Sequence, residues 1–195
     1  MLVMIVLFAT SLALLAACDG FSYSECDNIR DPILHVNYAN ITPSEVLIPG
    51  GLTPTVKFTI YRRVTGNLQL DVSIKKRIFF DITIPCISNV GSCSYDFCHL
   101  LSYMKDANRR ASCPQELQRS NFPCTCPFQS GTYTFRGETF RIPEMSGIWR
   151  WLSKGTYKIQ AKLIDALTNE VVGCYRMQVS ISDGCKGIEC IFGKK

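Results

Sequence analysis

The sequence predicts an all-β fold: an immunoglobulin-like pair of antiparallel sheets, packed as a sandwich or open cup, stapled by disulfides and carrying one short helix. Three observations carry this. Apolar residues recur at every second position through most of the chain after Leu34. Turn residues separate these runs, and cysteines crowd the chain behind an apolar leader. Period two means strands with one buried face, and such strands close a core only by packing sheet on sheet.

The leader comes first. Met1 to Ala17 carries no charge and is almost wholly apolar, ending in Ala16, Ala17 and Cys18 before the polar Asp19 and Gly20. This is the apolar region and small-residue exit of a secretory signal peptide, so residues 1–18 are expected to be removed. Leu15, Ala16, Ala17 and Cys18 also fit a lipoprotein box, a minor alternative. Ten of the eleven cysteines follow Cys18, an even number in an oxidising compartment, and disulfides are expected. A zinc site is the weaker alternative, because Cys124-Thr125-Cys126 and Cys98-His99 lack knuckle spacing. Asn40-Ile41-Thr42 is a glycosylation acceptor in such a compartment.

Strands follow in order. Leu34, Val36 and Tyr38 alternate with polar residues, as do Val56, Phe58 and Ile60. Leu68, Leu70, Val72 and Ile74 give the cleanest alternation, and Phe80, Ile82 and Ile84 continue it to Pro85. Tyr133 with Phe135, Phe140 with Ile142, Tyr157 to Leu163, and Met177 to Ile181 complete the set. Pro49-Gly50-Gly51, Thr65-Gly66-Asn67, Arg136-Gly137 and Thr168-Asn169 mark turns between them. The period breaks between Cys86 and Cys126. There Phe97, Leu100, Leu101 and Met104 predict a short amphipathic helix with Ser94 as N-cap and Asp96 in the first turn. A second helical turn is expected at Pro114.

Little points to catalysis. The two histidines, His35 and His99, have no recognisable triad partners, oxidised cysteines supply no nucleophile, and no glycine-rich phosphate loop exists. A net charge of +5, with scattered Lys and Arg, is too little for a nucleic-acid protein. No metal or other cofactor is expected.

Two stretches are apolar where polar residues are expected. Lys75-Lys76-Arg77 runs into Ile78-Phe79-Phe80, whose rings fall on opposite faces. Ile148-Trp149-Arg150-Trp151-Leu152 carries both tryptophans. These rings either plug the sandwich ends or form a greasy rim that meets a membrane or holds a lipid. Under the second reading Ile78, Phe79, Phe80, Ile148, Trp149, Trp151 and Leu152 contact lipid, and Lys75, Lys76 and Arg77 meet an anionic surface.

The sequence resembles the ganglioside activator family, within the wider lipid-recognition (ML) superfamily. The residues that carry the likeness are Cys86-Ile87-Ser88-Asn89-Val90-Gly91-Ser92-Cys93, Phe97-Cys98, Cys113-Pro114 and Pro123-Cys124-Thr125-Cys126-Pro127-Phe128, with Gly131-Thr132-Tyr133. The opening Phe21-Ser22-Tyr23-Ser24-Glu25-Cys26-Asp27 and the later Trp151 to Tyr157 agree as well. The likeness spans residues 21–182, so residues 19–182 are expected to form the domain and 183–195 a tail.

The resemblance implies a β-sandwich cup with an apolar lipid cavity, no enzymatic activity, and extraction of glycolipid or phospholipid from membranes for presentation to a hydrolase such as β-hexosaminidase. Residence would be secreted or lysosomal. It implies the bridges Cys26–Cys174, Cys86–Cys93, Cys98–Cys126 and Cys113–Cys124, and places Trp151 in a rim loop. Cys185 and Cys190 are additional to the family framework and would form a fifth bridge. The spacings Cys93 to Cys98 and Cys98 to Cys113 depart from the family pattern, which bears on ganglioside specificity. Exposing an acyl chain to water costs about 0.8 kcal/mol per methylene, so a carrier must offer a comparable apolar lining. The alternative is a secreted factor that sequesters lipid or inhibits a phospholipase without transferring anything.

Overall fold

The computed structural model describes residues 20–100, 126–137, 139–146 and 154–183. The expectations for the leader, Met104, Cys113, Pro114, Cys124, Ile148, Trp149, Trp151, Leu152, Cys185 and Cys190 lie outside these residues.

Among the described residues, eleven strands form two antiparallel-dominated sheets. The first follows the order β1 (Ser22–Glu25), β11 (Glu170–Ser182), β10 (Gly155–Asp165), β5 (Leu68–Arg77), β6 (Asp81–Thr83). Two short strands join it: β3 (Glu45–Leu47) runs parallel to β11, and β7 (Ser94–Asp96) pairs with β5. The second sheet follows β2 (Leu34–Thr42), β4 (Gly50–Ile60), β8 (Gly131–Arg136), with β9 (Phe140–Ile142) on β4. All-β sandwich architecture is therefore as the apolar alternation predicts, with more short edge strands than the periodicity reveals.

Most predicted strands keep their faces, since residues directly opposite in an antiparallel ladder share one. Leu70 faces Leu163, Val72 faces Ala161, and Ile74 faces Ile159. In the second sheet Val56 faces Phe135, and Phe58 faces Tyr133 with their rings stacked 5.6 Å apart. Tyr38 departs from the expectation. The β2–β4 register shifts between Val36 and Tyr38, so Asn37 is an inserted residue and the alternation inverts after it. Ala39 and Ile41 take the inward places and Tyr38 is 49% exposed.

Pro54 sits within a strand flanked on both sides, where a missing N–H should break a ladder. The break is visible. Gly137 N–H donates to the Pro54 carbonyl at 2.7 Å, and the neighbouring strand is divided there into β8 and β9. A Cβ on Gly137 would lie 2.2 Å from that carbonyl oxygen, so only glycine permits the approach.

A packed cluster closes one end of the sandwich: Ile33, Ile60, Val64, Leu68, Phe128, Leu163 and Val172. Phe128 is almost fully buried and is held by reciprocal backbone hydrogen bonds with Val64, both 3.0 Å. Phe97 packs against it with ring centroids 5.8 Å apart. Phe97 opens a helical turn over residues 97–100, where the predicted helix begins. Its cap is Asp96, whose carboxylate accepts the His99 N–H at 2.7 Å. Ser94 is not the cap: it lies in β7 and its hydroxyl donates to Asp71.

Three bridges are present among the described residues: Cys26–Cys174, Cys86–Cys93 and Cys98–Cys126. These are pairings that the family resemblance implies. No group of His, Cys, Asp or Glu among the described residues could hold a metal ion, and Cys98 and Cys126 are oxidised to each other.

Candidate functional site

Between the sheets lies a cavity of about 450 Å³. Its walls are the inward rows of both sheets. Pro54, Val56, Phe58 and Ile60 come from β4, with Val36, Ala39 and Ile41 from β2. Leu70, Ala161, Leu163, Gly173, Tyr175 and Met177 face them from β5, β10 and β11. Among the described residues, no charged side chain lines it. Sheets pack about 10 Å apart when large side chains interdigitate. Here Ala39, Ala161 and Gly173 stand in mid-wall positions, so side chains do not fill the gap.

One flank of the cavity is sewn shut. Tyr175, on β11, accepts a hydrogen bond from the Val36 N–H at 2.9 Å and donates to the Leu34 carbonyl at 3.3 Å, both on β2. Burial pushes its phenol pKa up, so the donating form persists. The Ile33 N–H donates to the Val172 carbonyl at 2.8 Å, and His35 Nδ1 lies 3.6 Å from Glu25. On the other flank, no backbone hydrogen bond among the described residues joins β5 or β6 to β8 or β9.

Depth follows from register. Leu68 on β5 and Ile60 on β4 both sit in the closed cluster, and each strand leads away from it. At about 3.3 Å per residue, ten or eleven residues give walls of roughly 30 Å. The far ends of those walls carry exposed rings. The Ile78-Phe79-Phe80 segment forms the tip of the β5–β6 hairpin, closed by the Ile78 N–H donating to the Phe80 carbonyl at 3.1 Å. Phe79 is 97% exposed, Phe80 69% and Ile78 45%. Phe80 is thus a turn residue and does not extend the row of Ile82 and Ile84 as the alternation suggests. Across the rim Phe140 faces Leu52, stacks on Phe135 at 6.4 Å and is about half exposed. Sequence reasoning assigned Phe140 only to a strand; its exposed ring is a site feature that the pattern alone did not isolate.

The basic triplet divides. Lys75 and Arg77 point outward, Arg77 pairing with Asp81 at 3.3 Å, while Lys158 reaches the same carboxylate at 2.7 Å. The hydrogen bond from Lys158 is the main reason the Asp81 pKa is lowered. Lys76 corrects the expectation of a surface contact. It is 6% exposed, on the inward row after Leu70, Val72 and Ile74, with Nζ 5.8 Å from the Tyr157 ring centroid. Alternation dictates this: three consecutive cations in a strand cannot share a face. Asn40, the glycosylation acceptor, is half-buried on β2 beside the cavity.

Residues 20–181 match the ML domain family model. The chain belongs to the ML domain family. It is 30% identical over 170 residues to the ganglioside GM2 activator of Mus musculus, covering 86% of this chain and 84% of that protein. It is 29% identical over 175 residues to the ganglioside GM2 activator of Macaca fascicularis, covering 89% of each. A Niemann-Pick type C2 protein from Japanese carpenter ant superposes with a TM-score of 0.41 at 11% identity, over 83% of this chain and 99% of that one. That overlap is too loose to carry weight.

Proposed function

We propose that this ML-domain chain is a lipid carrier that takes a glycolipid or phospholipid from a membrane and presents it to a hydrolase, itself catalysing nothing. The uncharged cavity between the sheets is the observation that carries the reading. An acyl chain with a dozen methylenes in that cavity is sheltered from water by about 10 kcal/mol, enough to compete with the bilayer it leaves.

The rim supplies the approach to the membrane. Ile78, Phe79 and Phe80 enter the headgroup region, while the outward Lys75 and Arg77 favour an anionic leaflet, a contribution that salt screens. Ile148, Trp149, Trp151 and Leu152 are proposed to join this rim. The ganglioside activator relatives make a glycolipid the first ligand to try and a β-hexosaminidase the first hydrolase. Residence is secreted or lysosomal, with a glycan on Asn40. Transfer of labelled lipid between donor and acceptor vesicles tests the reading. Transfer that rises in proportion to protein supports it, and tight binding with no transfer refutes it.

A further inference from the structure

We propose that Tyr38 is a stacking platform for the first sugar of an N-linked glycan on Asn40, an inference that rests on the secreted residence read above. The bulge in β2 makes the argument. Strict alternation from Val36 would carry Tyr38 and Asn40 onto the inward row, where a glycan could not coexist with an apolar cavity. The inserted Asn37 prevents this. The Thr59 hydroxyl donates to the Asn37 carboxamide oxygen at 2.9 Å, which ties the bulge to β4. Beyond it Ala39 and Ile41 line the cavity, opposite Val56 and Pro54. Asn40 borders the cavity between them, but its place in the ladder is opposite Thr55, on the outer face. Tyr38 and Thr42, opposite Lys57 and Thr53, share that face. The aromatic ring, the acceptor asparagine and the hydroxyl of the acceptor motif thus stand in one outward row.

Spacing and exposure suit a sugar. Residues two apart in a strand stand roughly 7 Å from each other on one face. A pyranose attached to the Asn40 carboxamide nitrogen therefore reaches the Tyr38 ring by folding back along the strand. Tyr38 is 49% exposed, a large ring on a sheet face that meets water. The C–H face of a pyranose is apolar, and an aromatic ring covers it while the phenol hydroxyl stays wet. The cross-strand neighbours leave room, since Thr55 and Thr53 are short and Lys57 is exposed. Among the described residues β2 is also an end strand of its sheet. A glycan laid along its outer face hinders another chain from pairing with that edge.

The test uses the full chain secreted from eukaryotic cells with high-mannose glycans, trimmed by an endoglycosidase to a single N-acetylglucosamine. Glycopeptide mass spectrometry is expected to find that sugar on Asn40. The one-sugar form should melt about 2–4 °C above Asn40→Gln and Thr42→Ala, two variants that lose the glycan in different ways. Tyr38→Ala and Tyr38→Leu should lose that increment, each compared with its own counterpart carrying Thr42→Ala, and Tyr38→Phe should keep it. A ring that merely packs on the sheet would lower both members of each pair equally. A bare Asn40, a wild type whose melting does not depend on the sugar, or a Tyr38→Leu chain that keeps the full increment overturns the proposal. Vesicle-to-vesicle lipid transfer, measured on the same preparations, separates this inference from the carrier reading. A chain that transfers lipid with a bare Asn40 sinks only the glycan platform. A Tyr38-dependent sugar increment in a chain that moves no lipid sinks only the carrier.

Discussion

Replacing Phe79 and Phe80 together by alanine isolates the rim from the core. Both rings stand in water, Phe79 at 97% and Phe80 at 69% exposure. Removing exposed rings from a hairpin tip should change folding stability by no more than about 0.5 kcal/mol. Membrane affinity is another matter. A fully buried Phe is stabilised by about 1.5–3 kcal/mol, so two largely exposed rings entering the bilayer contribute about 3–5 kcal/mol together. At 1.4 kcal/mol per decade, the double variant should bind vesicles from about a hundredfold to a few thousandfold more weakly. Co-sedimentation with phosphatidylcholine vesicles reads the affinity, and thermal unfolding of the same preparations reads the stability. A variant that melts several degrees lower yet sediments like the wild type would refute the reasoning, since the rings would then be structural plugs.

Cutting the Cys26–Cys174 bridge with paired serines opens a loop of sequence separation 148, for which chain entropy predicts a loss of about 5 kcal/mol, measurable by urea unfolding. Acid should also weaken the fold. Hydrogen bonds from Gln69 first, then Ser94, lower the Asp71 pKa in the folded state. A depressed carboxylate stabilises above its unfolded value and loses that contribution as pH falls through the folded one, so stability should decline below about pH 4. Asp71→Asn should flatten that part of the profile in pH-dependent melts.

Sheet architecture was legible because burial on one face writes itself as alternation, and the rows from Leu68 to Ile74 in β5 and from Tyr157 to Leu163 in β10 keep their predicted faces. Two things were not. A bulge leaves no compositional mark, so Asn37 inverted the face of Tyr38 unseen. Short edge strands such as β1 and β3 owe their pairing to β11, not to their own three or four residues. The site was half legible. Phe79 stood out as apolar where polar residues are expected, and the turn that exposes it at the tip of the β5–β6 hairpin was hidden by an alternation that runs on through Phe80. The triplet Lys75-Lys76-Arg77 reads as one basic patch in the linear sequence, and strand geometry splits it between solvent and interior. The cavity itself had a faint signal in Ala39, Ala161 and Gly173, small residues where a solid core would place large ones, but small residues inside strands have other causes too. The family resemblance supplied the expectation of a hollow, and the register shows which walls make it.

The central claim is that the space between the sheets holds lipid, and the most direct measurement is the lipid the protein retains. Wild-type chain and an Ala161→Trp variant, whose indole should occupy the middle of the cavity, are incubated with mixed-lipid vesicles, re-isolated, denatured and assayed by mass spectrometry. The account predicts about one equivalent of lipid released from the wild type and almost none from a variant that remains folded by circular dichroism. A wild type without lipid, or a folded Ala161→Trp chain that retains as much as the wild type, would contradict it.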